Sequence, residues 1–107
     1  MKLLRGAESE PFCVFTFAPT PTGAYSRMFA PEYGIPEDPA TGSATGPLAA
    51  FMMRHGLLSS TRFVSEQGTK MGRRSLLHVQ IHDSGDIDVG GDVTPVGAGT
   101  LQLFNKD

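Results

Sequence analysis

A chain of 107 residues is the length of one ordinary domain, able to bury roughly two-thirds of its extended-chain surface and too short for two full domains. Hydrophobic residues at 39% and charged residues at 19% give a globular balance, which excludes a disordered chain. Nine Lys and Arg against eleven Asp and Glu leave a net charge of −2, so no basic excess drives nucleic-acid or anionic-membrane binding.

Trp is absent, which removes the best stacking platform for a single nucleic-acid strand. The single cysteine, Cys13, excludes an intrachain disulfide framework, a Cys-rich metal site and a mechanism using two thiols of one chain. The opening MKLLRGAESEPF loses its apolar character after Leu4, too early for a secretory h-region. No run approaches the ~18 apolar residues of a membrane span. A soluble, cytoplasmic domain is expected.

Thirteen Gly and eight Pro predict short elements joined by tight turns. Residues 12–17 (FCVFTF) read as a buried strand bounded by Pro11 and Pro19, with Cys13 a small buried hydrophobe inside it. Residues 18–23 (APTPTG) form a loop, and residues 24–29 (AYSRMF) a second strand. The next thirteen residues, APEYGIPEDPATG, carry three Pro and two Gly and are expected to lack regular structure. Residues 43–55 (SATGPLAAFMMRH) are a helix, opened at Gly42 and Ser43 and stopped by Gly56, with Arg54 and His55 suiting the C-terminal dipole. Its apolar residues surround most of the circumference, so enclosure is expected. Residues 61–66, 75–82 and 86–89 are strand-like, and residues 93–104 (VTPVGAGTLQLF) read as a Gly-interrupted strand or pair. Six short strands curled around one buried helix is the architecture these patterns predict.

The chemistry concentrates in residues 34–46, GIPEDPATGSATG. Glu37 and Asp38 lie in a Pro-stiffened loop, and Gly42 and Ser43 open the helix. Free N–H groups at a helix start favour an anion, and a rigid carboxylate beside such a hole suits proton abstraction next to a bound carboxylate. On these residues alone, a simple role in capping the helix and complementing its dipole is favoured. Elsewhere, His78 and His82 are four apart in a strand, not a helix, so metal binding ranks below a structural role. His55 reads as a helix C-terminal residue. Ser65 and Ser75 lack the G-x-S-x-G context of a hydrolase nucleophile. QGTKMGRR (residues 67–74) reads as a solvated basic turn in preference to a guide for anionic substrate.

The string RMFAPEYGIPEDPATGSATGPLAAFMMRHGLL, with FVSEQGTKMGRRSLLHVQIH and DIDVGGDVTPVGAGTL after it, closely resembles the phenazine-biosynthesis PhzF-like isomerase family, of diaminopimelate epimerase-like fold. The resemblance covers nearly the whole chain and reverses the preference for a capping role at Asp38. It implies an α+β lobe, residues 1–107, in which a curled, mostly antiparallel, barrel-like sheet surrounds a central helix; residues 1–10 would be an atypical or disordered extension. It implies that Asp38 is the catalytic residue of this lobe, positioning substrate and able to shuttle a proton. Gly42 and Ser43 would offer backbone amides to the substrate carboxylate, and Thr41 would be a further substrate-binding residue. Thr41 stands where related epimerases carry a catalytic Cys, so cysteine-pair racemisation does not carry over. No cofactor and no metal are implied.

The resemblance is to one lobe only. In the family a second lobe faces it across the active-site cleft and supplies a Glu acid/base and a substrate-binding His. The chain is therefore expected to act as half of a cofactor-independent isomerase on a small carboxylate-bearing metabolite, completed by a separate N-terminal lobe or by a second copy. The competing expectation is a non-catalytic carboxylate-binding or oligomerisation module, and a fragment of a longer enzyme is the third.

Overall fold

The computed structural model describes residues 11–104; the expected N-terminal extension, residues 1–10, lies outside them. Six strands and one α-helix follow in the order β1 Val14–Thr20, β2 Gly23–Ala30, β3 Ile35–Asp38, α1 Gly42–Arg54, β4 Arg62–Gln67, β5 Ser75–Ile81 and β6 Ile87–Gly90. Single 3-10 turns occupy Pro31–Tyr33 and Thr69–Met71. The six strands form one sheet ordered β1-β2-β4-β5-β6, with β3 attached to the far end of β2. All neighbours are antiparallel except β2 and β4, which run parallel from Gly23↔Val64 to Ser26↔Gln67.

The parallel join depends on Gly23. A Cβ there would sit 2.2 Å from the Val64 carbonyl oxygen, so any side chain would push the two strands apart. Strand alternation then places one set of residues under α1: Ala24 on β2, Phe63 on β4, and Val79 and Ile81 on β5. Leu48, Ala49 and Met52 of the helix complete the buried core, and Phe15, Phe17, Leu58, Ile87 and Val89 flank it. Ala49 and Met52 are fully buried. The helix ends as expected at Gly56, whose φ of 68° lets the Gly56 N–H reach the Met53 carbonyl and the Leu57 N–H reach that of Met52.

The structure corrects five expectations. The sheet is open, not barrel-like, because β1 and β6 remain its two edges. Surrounding a helix at a sheet-packing distance of about 10 Å needs a perimeter on the order of 60 Å, about a dozen strands at ~4.8 Å spacing, and five lie abreast here. Consequently α1 is covered on one side only, leaving Phe51 48% and Met53 50% exposed. The first strand runs on through Pro19, since an edge strand can spare one N–H. Residues 30–42 hold a short strand, β3, paired to β2 through Met28↔Asp38 and Ala30↔Ile35 with a register shift between them that accommodates Pro36. Residues 93–104 form no strand, because nothing among the described residues lies alongside them to pair with.

Candidate functional site

Strand β3 brings Asp38 beside the start of α1. Its pairing to Met28 fixes the carboxylate end of the loop, and only Pro39 and Ala40 separate Asp38 from Thr41, the N-cap of the helix. Asp38 is half-buried, Thr41 is buried, and Gly42 and Ser43 are exposed. The four residues singled out from sequence therefore lie together at one end of the helix.

Their hydrogen bonds differ from ordinary capping. An N-cap Thr usually accepts from an amide of the first turn, yet no side chain caps α1. The Thr41 hydroxyl instead donates to Asp38 Oδ2. The first three amides of a helix have no intrahelical acceptor, so those of Gly42, Ser43 and Ala44 stay open at the positive end of the helix dipole. The Thr41 carbonyl is committed within the helix, accepting from the Thr45 N–H at 3.2 Å and the Thr45 hydroxyl at 2.7 Å.

Two residues missed in the sequence hold this loop. Gln67, fully buried at the end of β4, accepts from the Thr41 N–H at 3.1 Å and donates to the Asp38 carbonyl and to Thr41 Oγ1, both at 2.9 Å. Gly68 follows with φ of 80°, and a Cβ there would meet the Arg73 and Pro39 carbonyl oxygens at 2.3 and 2.7 Å. A signal was present: Ser65 and Gln67 continue the inward phase set by Phe63, and a polar residue in a core phase calls for a buried partner. Ser65 has one in the Ser26 hydroxyl, 2.7 Å away.

Glu37 is engaged by Arg27 of β2. It forms a two-pronged pair with Arg27, at 3.0 Å to Nε and 2.9 Å to Nη2, and the Arg27 guanidinium lies over the Phe29 ring. The hydrogen bonds from Arg27 hold the Glu37 carboxyl below its usual range, and the same contact raises the Arg27 pKa. Glu37 is thus paired with Arg27 and does not cap α1.

Beside the helix start runs a groove of about 510 Å³, floored by Phe15, Phe17 and Met28 and walled by Ser43, Pro47 and Phe51. Cys13 lies on it too and is exposed, not buried as the strand reading had it, because β1 begins one residue later, at Val14. A second hollow of about 560 Å³, beside Arg62, His78 and Asp88, contains none of the loop residues. His82 pairs with Asp88 at 2.7 Å and His78 approaches Asp92 at 3.9 Å, so each faces its own carboxylate. In the basic turn, Arg74 leans on Glu66 at 3.4 Å.

A mixed sheet with one covering helix, and a loop carboxylate at the helix start, define an epimerase-like α+β lobe. A solved Pseudomonas aeruginosa protein described as a predicted epimerase, PA4716, superimposes with a TM-score of 0.56 at 41% identity, over 63% of this chain and 24% of its own. Residues 8–99 match the family of phenazine biosynthesis-like proteins, PhzC-PhzF, and the chain belongs to that family. Among its relatives, the trans-2,3-dihydro-3-hydroxyanthranilate isomerase of Pseudomonas chlororaphis is 41% identical over 83 residues, 73% of this chain and 30% of the relative. An uncharacterized isomerase of Clostridium acetobutylicum is 43% identical over 61 residues, 53% of this chain and 20% of that protein. The chain thus spans less than a third of the length of these relatives. Among the described residues no helix is long and apolar enough to cross a membrane.

Proposed function

We propose that this chain is one lobe of a PhzF-like isomerase, a half-site for cofactor-independent proton transfer on a small carboxylate-bearing metabolite in the cytoplasm. The observation that carries the reading is the open first turn of α1, flanked by Asp38 and facing an apolar groove. The substrate carboxylate accepts from the Gly42 and Ser43 amides, and its carbon skeleton lies along Phe15, Phe17 and Met28. Asp38, hydrogen-bonded to Thr41 of the groove wall, positions the substrate and shuttles a proton: one C–H bond breaks, another forms, and no electrons are gained or lost overall. The complementary acid/base comes from a second lobe, supplied by a separate chain segment or by another copy of this chain.

The unshared apolar surface supports a second body. Phe51 and Met53 are about half exposed on the uncovered side of α1, and Val93, Val96, Leu101, Leu103 and Phe104 are all exposed beyond β6. Apolar surface of this extent is a common mark of an interface. The isomerase named among the relatives acts on a ring carboxylate, which is the class of substrate proposed here. A cytoplasmic setting accords with the lone exposed thiol of Cys13.

The test is deuterium uptake from D2O into trans-2,3-dihydro-3-hydroxyanthranilate, with the part of the Pseudomonas chlororaphis relative outside the matched 83 residues supplied as a separate chain. Uptake is expected, and Asp38→Asn should slow it by about 100-fold or more. Carboxylate binding without uptake would replace the enzyme reading with that of a binding module. Neither binding nor uptake would overturn both.

A further inference from the structure

The geometry points to Gln67 as a positioning residue that keeps the start of α1 open for an anion, by turning the Thr41 hydroxyl away from the helix. This inference deepens the half-site reading and rests on it. The Gln67 amide is fully buried and spends all three of its hydrogen bonds on residues 38–41. Its orientation is forced: the Thr41 N–H needs an oxygen opposite it, and the Asp38 carbonyl needs an N–H. The second Nε2 hydrogen therefore points at Thr41 Oγ1.

A hydroxyl has one hydrogen to give. With Oγ1 already accepting from Gln67, its own hydrogen goes to Asp38 Oδ2. Held between those two partners, the oxygen is withheld from the Ser43 and Ala44 amides that an N-cap threonine would ordinarily satisfy. One buried amide thus sets two features of the site together. It aims a donor at the Asp38 carboxylate, and it leaves the first-turn N–H groups to a ligand. Gly68 reinforces the arrangement, since the space its missing side chain would fill is occupied by the Arg73 and Pro39 carbonyls.

Amide hydrogen exchange on the free protein, read by NMR, tests this without any substrate. In Gln67→Met the Thr41 hydroxyl is released to cap the helix, and exchange at Ser43 or Ala44 should slow by about fivefold, the effect of one ordinary N-cap bond. The affinity of the probe 2-aminobenzoate should fall by about tenfold in the same variant, even though the helix is now better capped. A purely structural Gln67 would instead speed exchange throughout the loop. Thr41→Ala covers the case in which Gln67→Met fails to fold. There the Ser43 and Ala44 rates should stay at wild-type values, because the hydroxyl was not capping them, and Thr41→Ser should behave as wild type. Faster exchange at those two amides in Thr41→Ala, or unchanged exchange in a folded Gln67→Met, overturns the inference. Failure of the wild-type chain to bind 2-aminobenzoate counts against the half-site reading and leaves the exchange result to decide the role of Gln67.

Discussion

Two stretches of similar apolar content meet opposite fates in this molecule. On α1, Leu48, Ala49 and Met52 are buried against β2, β4 and β5, while beyond β6 the side chains of Val93, Val96, Leu101, Leu103 and Phe104 are 85% to 97% exposed. The radius of gyration, 17.4 Å, records the contrast, since a compact chain of about this length has ~13 Å. Leucine occurs in both places, buried at Leu48 and exposed at Leu101 and Leu103. What differs is whether a complementary face lies within reach, so burial here is a property of the partner as much as of the sequence.

The sharpest break in that comparison comes from the packed side. Met52 is fully buried beneath the helix, and Met52→Ala leaves a cavity that neighbouring side chains fill only in part. A loss of about 2–5 kcal/mol is expected in urea unfolding, the range for large-to-small core changes. An effect under about 1 kcal/mol would mean that the helix is loosely seated, and that the half-covered α1 is not the organising element of the fold.

The same contrast explains what could be read in advance. The helix was legible because Gly42 and Gly56 punctuate it and the residues between them carry a helical run. The central strands were legible because Phe63 and Ser65 on β4, and Leu77, Val79 and Ile81 on β5, alternate cleanly toward one face. Strand β3 was hidden by Pro36, whose cost is avoided only by a register shift that tertiary pairing creates. The TLQLF alternation reads as a strand, but a strand exists only beside another, and the residue pattern of a segment does not show whether a neighbour is present. At the site, Asp38, Thr41, Gly42 and Ser43 are contiguous enough to be found from sequence. Gln67 reaches them from 26 residues beyond Thr41, a pairing that the parallel β2–β4 join brings about.

A smaller effect sharpens the comparison at the rim, between a contact held by charge and the core held by packing. Arg27 donates two hydrogen bonds to Glu37, which lowers the folded-state pKa of the carboxyl beneath its ordinary 4.5. A depressed folded pKa contributes stability that is present above the unfolded value and is lost as pH falls through the folded one. Glu37→Gln should therefore lower the thermal midpoint slightly at about pH 6, and the gap to wild type should close on acidification below the ordinary carboxylate range. Added salt should shrink it as well, because Arg27 is substantially exposed. A gap that persists unchanged at low pH would show that Glu37 acts through packing, not charge.

The smallest expected change in stability belongs to the exposed stretch itself. A chain ending at Asp92, which keeps the carboxylate facing His78, discards Val93 onward and removes no contact from the buried core. Its unfolding free energy should match that of the full chain within about 0.5 kcal/mol, as for surface changes that touch no packed feature. Its behaviour toward a second body should differ sharply. If Leu101, Leu103 and Phe104 supply apolar anchors to that body, the shortened chain should fail to associate with it in light scattering while remaining folded. Equal stability with undiminished association would shift the interface to Phe51, Met53 and the groove beside Asp38. A large loss of stability would mean instead that these side chains already pack on the lobe in solution, and the contrast between the two stretches would vanish.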